Sequence, residues 1–160
     1  MKMRFKFLGG ADMEGDGMTV LVEYGLSPTK PPEFPIPAPK IDYMFLTQSH
    51  LDHCGMVPQV VGRDRCDLFT TPLTAEISEL MMKDTLKIAK AEDYVQPYSM
   101  DDIEKTMQSV VPMTYGDDIT INHVDVSMLD AGHIPGAAMF EFSRDSTTIY
   151  SGDIHTETQR

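Results

Sequence analysis

Residues 47–55 read Thr47-Gln48-Ser49-His50-Leu51-Asp52-His53-Cys54-Gly55 and follow directly on the apolar run Tyr43-Met44-Phe45-Leu46. Such an apolar run, ending in polar residues, is typical of a buried strand with functional groups at its carboxyl end. Two imidazoles and one carboxylate within four residues suit a hard or borderline cation such as zinc, manganese or iron. The stretch therefore predicts a central strand of an α/β fold and a metal site at its end.

Two later clusters have the same character. They are Ala131-Gly132-His133-Ile134-Pro135-Gly136 and Ser151-Gly152-Asp153-Ile154-His155. Each lies close to the end of a predicted strand, where functional groups gather when helices cover a sheet. We expect His133 and Asp153 to complete the site that residues 50–53 begin.

The rest of the chain alternates strand-like and helix-like segments. Strands are predicted over 3–8, 18–24, 41–46, 67–70, 110–113, 118–122, 124–129, 137–142 and 147–150. Helices are predicted over about 56–61 and 72–91 and from residue 99. The segment 9–17 is interpreted as the turn of a hairpin, and the apolar face of the long helix is assigned to Leu73, Ile77, Leu80, Met81 and Ile88. This order predicts one α/β domain, with one mixed sheet and helices on its outer face.

Composition limits the function. The net charge is −12, from 25 acidic and 13 basic residues, which excludes a broadly basic nucleic-acid surface. A nucleic-acid substrate would need local positive charge, bound metals or another chain. Two cysteines, Cys54 and Cys66, indicate reduced thiols rather than a disulfide framework. With no apolar run of signal-peptide or membrane-spanning length, we expect a cytoplasmic protein with no membrane association.

The motifs, taken in order, resemble those of the metallo-β-lactamase superfamily. The resemblance rests on Gln48-x-His50-x-Asp52-His53, Ala131-Gly132-His133 and Ser151-Gly152-Asp153. The opening Phe7-Leu8-Gly9-Gly10-Ala11 and the run 131–137 resemble the β-CASP branch, the RNA-processing nucleases related to the cleavage and polyadenylation specificity factor nuclease and RNase J. Similarity to the archaeal members of that branch covers essentially the whole chain.

The resemblance implies a fold and a set of residue roles. The fold would be the N-terminal portion of an αββα sandwich. The cofactor would be a pair of metal ions, which the resemblance implies are zinc. His50 and His133 would bind the first metal, Asp52 and His53 the second, and Asp153 would lie between them. The family also makes Asp52 the candidate proton acceptor.

The chain departs from the family pattern in three ways. Gln48 stands where the family has its first histidine ligand, and a carboxamide oxygen is a weak zinc ligand. The first metal is therefore expected to bind much less tightly or not at all. Glu23 replaces the aspartate that orients ligands. The family continues beyond the equivalent of Arg160 with a β-CASP insert and a second catalytic half, so residues 1–160 are expected to be the N-terminal portion of a domain. We therefore expect a homo-oligomer or a partner chain to cover the exposed face.

Three functions are consistent with this sequence. The first is a metal-dependent phosphodiester hydrolase acting on RNA, exo- or endonucleolytic. The second is a degenerate, non-catalytic relative that binds a partner chain, favoured by Gln48 and the charge of −12. The third is a small-molecule hydrolase of the same superfamily, such as a thioesterase. His123 and His155 are expected to be structural rather than metal ligands.

Overall fold

The computed structural model describes residues 4–7, 11–15 and 17–156. The strands are β1 (Arg4–Phe7), β2 (Ala11–Gly15), β3 (Met18–Val22), β4 (Tyr43–Phe45), β5 (Asp67–Thr70), β6 (Val110–Pro112), β7 (Asp118–Ile121), β8 (Val124–Asp130), β9 (Ala138–Ser143) and β10 (Thr147–Tyr150). The helices are α1 (Leu51–Cys54), α2 (Val57–Asp64), α3 (Pro72–Ala91) and α4 (Met100–Gln108).

The strands form two sheets. The first is mixed and has the order β1-β2-β3-β4-β5-β6, antiparallel from β1 to β3 and parallel from β3 to β6. The second is antiparallel, in the order β10-β9-β8-β7. The α/β class with helices on a mixed sheet is thus confirmed, but strands β7 to β10 leave that sheet. Their short connections, such as the left-handed pair Asn122 and His123 (φ 44° and 67°), make hairpins that pair only with each other.

The alternation of side chains along β3, β4 and β5 builds three layers. Leu21, Met44 and Leu68 face the helices, whereas their neighbours face the second sheet. Phe45 stacks on Phe69 at 4.9 Å between ring centroids and meets the second sheet edge-on. Its partners there are Phe140 and Phe142, at 5.0 and 5.2 Å. This aromatic cluster holds the two sheets together.

The predicted turn at 9–17 is wrong in part, because β2 occupies residues 11–15. This strand pairs with β1 on one side and β3 on the other, so β1 is not the hairpin partner of β3. The sequence Ala-Asp-Met-Glu-Gly alternates apolar and acidic residues. That period-two pattern indicates a strand. The segment was nevertheless interpreted as a turn, because glycine and aspartate are uncommon in strands.

The predicted apolar face of α3 is wrong in part: Met81 packs against the core and Ile77 is half-buried, but the other three residues are exposed. Leu73, Leu80 and Ile88 are 41%, 64% and 48% exposed. The buried face instead carries mostly small side chains: Thr74, Ala75, Ser78, Met82, Thr85, Leu86 and Ala89. Small residues let α3 approach its neighbours closely, and hydroxyls can be buried there because helix carbonyls accept from them, as Met81 O does from Thr85 Oγ1 at 3.0 Å.

Candidate metal centre

The 47–55 stretch leaves the carboxyl end of β4 and enters the single-turn helix α1. Residues 24–26 run alongside and fix it, since Tyr24 N donates to His53 O at 2.9 Å and Leu26 N donates to Leu51 O at 3.0 Å. Gly25 permits this approach: a Cβ there would lie 1.8 Å from Asp52 O. The backbone that presents Asp52 and His53 is therefore held from outside its own helix.

Glu23 anchors His53 from beneath. Glu23 is buried, in a left-handed conformation (φ 64°), and its Oε1 lies 2.7 Å from His53 Nδ1. The same carboxylate accepts from the Thr47 hydroxyl and, through Oε2, from Tyr150 OH at 2.8 Å. The contact engages Nδ1 of His53 and leaves Nε2 for the site, the role expected of an orienting carboxylate.

The His133 loop is fixed at both of its ends. Gly136 O accepts from the hydroxyls of Thr71 and Thr74 at 2.8 and 2.9 Å, and Gly132 N donates to Asp130 Oδ1 at 2.8 Å. Gly136 has a positive φ of 86°, which favours glycine. The loop delivers His133 Nε2 to the site as a buried nitrogen without a hydrogen-bond partner.

Asp153 lies at the centre of the constellation. Its Oδ2 accepts from Gln48 Nε2 at 2.8 Å and lies 3.3 Å from His53 Nε2 and 3.6 Å from His133 Nε2. The preceding Gly152 is left-handed (φ 53°), and a Cβ there would meet Thr47 Oγ1 at 2.7 Å. The Gln48 hydrogen bond lowers the pKa of the Asp153 carboxyl; burial opposes this, and nearby His53 and His133 reinforce it.

Neighbouring groups also shift two further pKa values. Burial works to lower the pKa of His53, but the hydrogen bond to Glu23 and the charges of Glu23, Asp52 and Asp153 outweigh it, so the net shift is upward. Burial, followed by the Glu23 charge, raises the pKa of Tyr150. The Tyr150 hydroxyl thus stays a neutral donor to Glu23 at ordinary pH.

The structure brings three of the five predicted ligand residues into one group, and Asp52 and His53 lie beside it. Donor atoms of His50, His133 and Asp153 lie within 4.8 Å of one another, and the His50 and His133 rings meet edge-on at 5.5 Å. Asp52 Oδ2 lies 3.6 Å from His53 Nε2 on a side chain that is 63% exposed.

These residues fit a divalent cation. Two donors bound tetrahedrally to one zinc at about 2.0–2.2 Å are separated by about 3.3–3.6 Å. The pairs His53–Asp153, His133–Asp153 and His53–Asp52 have separations of 3.3, 3.6 and 3.6 Å. His133 Nε2 is buried without a hydrogen-bond partner, and a cation could be bound by its lone pair.

Sequence reasoning missed several residues that shape the centre. Thr47 and Tyr150 bind Glu23, and Thr71 and Thr74 hold the His133 loop. Tyr150 stands immediately before the Asp153 cluster, which was the available signal. The two histidines expected to be structural, His123 and His155, are exposed and lie outside the group of donors found among the described residues.

Residues 13–158 match the family described as the metallo-beta-lactamase superfamily domain. The chain belongs to the metallo-β-lactamase superfamily. It is 28% identical over 155 residues to the probable RNase MJ4 of Methanocaldococcus jannaschii, covering 93% of this chain and 36% of that protein. It is 31% identical over 175 residues to RNase aCSPSF2 of Saccharolobus solfataricus, covering 99% and 35%.

A third relative is the transcription termination factor FttA of Methanocaldococcus jannaschii, 31% identical over 181 residues, with 99% of this chain and 28% of that protein covered. These relatives support the β-CASP branch of RNA-processing nucleases. The chain spans about a third of the length of these curated relatives.

Solved structures show the same fold. A metallo-β-lactamase with a HARLDQ motif from Cronobacter sakazakii has a TM-score of 0.60 at 15% identity, covering 93% of this chain and 57% of that one. A protein of unknown function from Enterococcus faecalis has a TM-score of 0.64 at 14% identity, covering 95% and 43%. Both show the same fold as this chain. Among the described residues, no helix is both long and apolar enough to cross a membrane.

Proposed function

We propose that this protein is a metal-dependent phosphodiester hydrolase that acts on RNA. The observation that carries the proposal is the convergence of His50, His133 and Asp153 donors within 4.8 Å at the carboxyl ends of strands, beside Asp52 and His53. Relatives with RNase in their names support RNA as the substrate class. Exo- and endonucleolytic cleavage both fit this site.

The proposed roles follow from exposure and contacts. His50, Asp52, His53, His133 and Asp153 would hold the metal, with zinc, manganese or iron suited to imidazole and carboxylate ligands. When bound, a divalent cation would acidify a water molecule and neutralise charge on phosphate oxygens.

Asp52 is proposed as the proton acceptor. Its carboxylate is 63% exposed and lies 3.6 Å from His53 Nε2, whereas Glu23 is buried and would only orient His53. A cleft of about 720 Å³ opens beside the His133 loop, between Tyr115 and residues 154–156, and offers space for a nucleotide.

The test is cleavage of end-labelled single-stranded RNA with added Mn²⁺ or Zn²⁺. Asp52→Ala should reduce the rate by about 10²-fold or more, since general-base groups contribute about 10²–10⁴-fold. Asp84→Ala, an exposed aspartate on α3 outside the site, is the matched control and should keep the rate.

The degenerate, partner-binding alternative is favoured by Gln48, which replaces an expected ligand. It predicts no metal-dependent cleavage of RNA and equal inactivity of both variants. Cleavage that is abolished by a chelator and by Asp52→Ala would exclude it. Hydrolysis of thioesters instead of RNA would favour the small-molecule hydrolase.

We also propose that a second copy of this chain covers α3. Leu73, Leu80 and Ile88 form an exposed apolar stripe along α3 that Asp84 interrupts, with Glu76 near its start and Lys87 near its end. In an antiparallel pair, each Glu76 would face the partner's Lys87. Light scattering should show a dimer that Leu80→Glu dissociates, and a monomer at all concentrations would leave a different partner chain to cover the stripe.

Two further proposals concern context. The free thiols of Cys54 and Cys66 support a cytoplasmic location. Residues 1–160 are proposed to form the N-terminal portion of a metallo-β-lactamase-type domain.

A further inference from the structure

The Gln48 carboxamide occupies a position between two predicted metal ligands. Gln48 is fully buried, and its Nε2 lies 2.8 Å from Asp153 Oδ2 and 3.1 Å from His53 Nε2. His53 is expected to bind the second metal, and Asp153 is expected to lie between the two metals. The replacement of histidine by glutamine at position 48 therefore affects a different part of the centre than its place in the motif implies.

The groups around Gln48 favour one direction for these contacts. His53 Nδ1 lies 2.7 Å from Glu23 Oε1, a contact that favours the proton on Nδ1 and leaves Nε2 as the acceptor for Gln48. A primary amide has two N–H groups, and here one serves Asp153 and the other serves His53. Rotating the amide by 180° would bring Gln48 Oε1 to about the same 2.8 Å from a carboxylate oxygen, which is repulsive.

The two accepting atoms are spaced like ligands of one ion. His53 Nε2 and Asp153 Oδ2 lie 3.3 Å apart, a separation that suits two ligands on a tetrahedral cation. The amide N–H groups already point at both lone pairs. A cation at this position would have to displace them and would face the positive ends of their dipoles.

The two remaining imidazoles of the centre, those of His50 and His133, are not engaged by Gln48. His133 Nε2 is buried without a partner and lies 3.6 Å from Asp153 Oδ2. His50, His133 and Asp153 have donors within 4.8 Å of one another. The hydrogen bonds of the Gln48 amide go to Asp153 and His53, so they do not obstruct His50 or His133.

We infer that this centre takes a single divalent cation, bound by His50, His133 and Asp153, and that the Gln48 carboxamide substitutes for a second cation. Asp52 and His53 then remain free of metal, with His53 held between Glu23 and Gln48. The inference rests on the proposed metal-dependent function and narrows it to a one-ion centre. It reverses the expectation that Gln48 would weaken the first metal.

The test is metal content of the 160-residue chain after equilibrium dialysis against Zn²⁺ or Mn²⁺, followed by elemental analysis. The expected value is one ion per chain. His50→Ala and His133→Ala should each weaken binding at least tenfold, whereas His53→Ala should retain one ion. His123→Asn removes an exposed histidine and tolerates the left-handed backbone there, so it serves as the control and should retain one ion.

Gln48→Ala tests the substitution itself. Removing the amide should admit a second ion, giving two per chain. One ion or none in Gln48→Ala, or two ions in the unaltered protein, would overturn the inference. So would loss of metal in His53→Ala together with retention in His50→Ala.

Histidine NMR of the unaltered protein tests the same assignment without any variant, so it can be used if a variant does not fold. On titration with Zn²⁺, the ring signals of His50 and His133 should shift, and those of His53 should not. A shift of the His53 ring nitrogens equal to that of His133 contradicts the assignment. A chain that binds one ion at these residues but does not cleave RNA upholds this inference and defeats the proposed function.

Discussion

At the scale of single residues, the Glu23 carboxylate contacts three other side chains. Its buried carboxylate meets Thr47, His53 and Tyr150, which come from three separate segments of the chain. Its left-handed backbone (φ 64°) is uncommon for a residue other than glycine, and the surrounding contacts must hold it. By these contacts Glu23 holds the His53 ring, and its proposed role is to position His53 for the site.

Glu23→Gln should weaken this junction, because an amide has a single acceptor oxygen where the carboxylate has two. We expect a loss of about 1–3 kcal/mol in the free energy of unfolding, the usual cost of an unsatisfied buried partner. Urea denaturation measures it, and histidine NMR should show that His53 no longer has one fixed tautomer. Glu23→Asp, the residue typical of the family, is the matched comparison; equal stability and an unchanged His53 spectrum in Glu23→Gln would contradict the role.

At the scale of secondary-structure elements, the short helix α1 depends on its neighbours. Four residues cannot form a stable helix alone, so the strap at 24–26 and the packing of α3 hold α1 in place. α2 is fixed similarly, because Asp64 at its end accepts from Ile41 N at 2.9 Å and from Arg63. Elements that present the site are therefore positioned by tertiary contacts.

Gly25→Ala should disrupt the strap. The new Cβ would lie 1.8 Å from Asp52 O, and backbone on both sides must move. We expect a loss of about 3–5 kcal/mol, in the range of severe core changes, measured by urea denaturation. Gly116→Ala, in open space at φ 90°, is the control and should cost about 1 kcal/mol. Equal losses in the two variants would show that the close approach to Asp52 is unimportant.

Asp64→Asn tests how much the hydrogen bonds of the Asp64 carboxylate, at the end of α2, stabilise the fold and how that contribution depends on pH. Burial works to raise the pKa of Asp64, but hydrogen bonds from Arg63 and Ile41 outweigh it and lower the pKa. Stability from this carboxylate is therefore fully present above its unfolded pKa and is lost as pH falls through the folded value.

At pH 7, Asp64→Asn should be less stable by about 1–3 kcal/mol. The difference from the unaltered protein should shrink below about pH 4, where the aspartate becomes protonated. Urea denaturation at a series of pH values measures this, and a difference that grows in acid would show that the carboxylate is not the stabilising form.

At the scale of the whole molecule, the metal centre joins the two sheets. His50, Asp52 and His53 follow the mixed sheet, whereas His133 and Asp153 follow strands of the antiparallel sheet. Between the sheets lies the aromatic cluster around Phe45. The donors converge only when both sheets are packed, so metal binding and global folding are linked.

Metal should therefore raise the melting temperature. At a free concentration of one hundred times the dissociation constant, one bound ion contributes about 2.7 kcal/mol, a shift of about 5–10 °C for a chain of this size. Thermal unfolding with Zn²⁺ and with a chelator measures the shift. His133→Ala should abolish it, and a shift that survives in that variant would place the ion elsewhere.

Thiol reactivity gives an independent measure of global unfolding. Burial raises the pKa of both Cys54 and Cys66 to about 12, so neither thiol is reactive in the folded state at neutral pH. Ellman's reagent should modify them at the rate of unfolding, and metal should slow the reaction. Rapid modification of the folded protein would show that the helical side of the core opens locally.

Local patterns in the sequence were enough to predict the central strand and the residues of the candidate site. The apolar strand 43–45 and the spacing of His50, Asp52 and His53 indicate a strand followed by candidate ligands, because these residues share one short turn. The ordered later clusters added His133 and Asp153 to the same set, and the structure brings them together. This convergence could be predicted because it depends on neighbouring residues and on where strands end, whereas the role of these residues as metal ligands stays a prediction.

Only the tertiary structure decided the rest. It separated β7 to β10 into a second sheet, turned the small face of α3 inward, and placed the Gln48 amide against Asp153, 105 residues away. Such outcomes depend on which distant surfaces pack together, and no local period encodes them. The family resemblance implied two metal positions, and only the tertiary structure showed that the Gln48 amide contacts His53 and Asp153 at this centre.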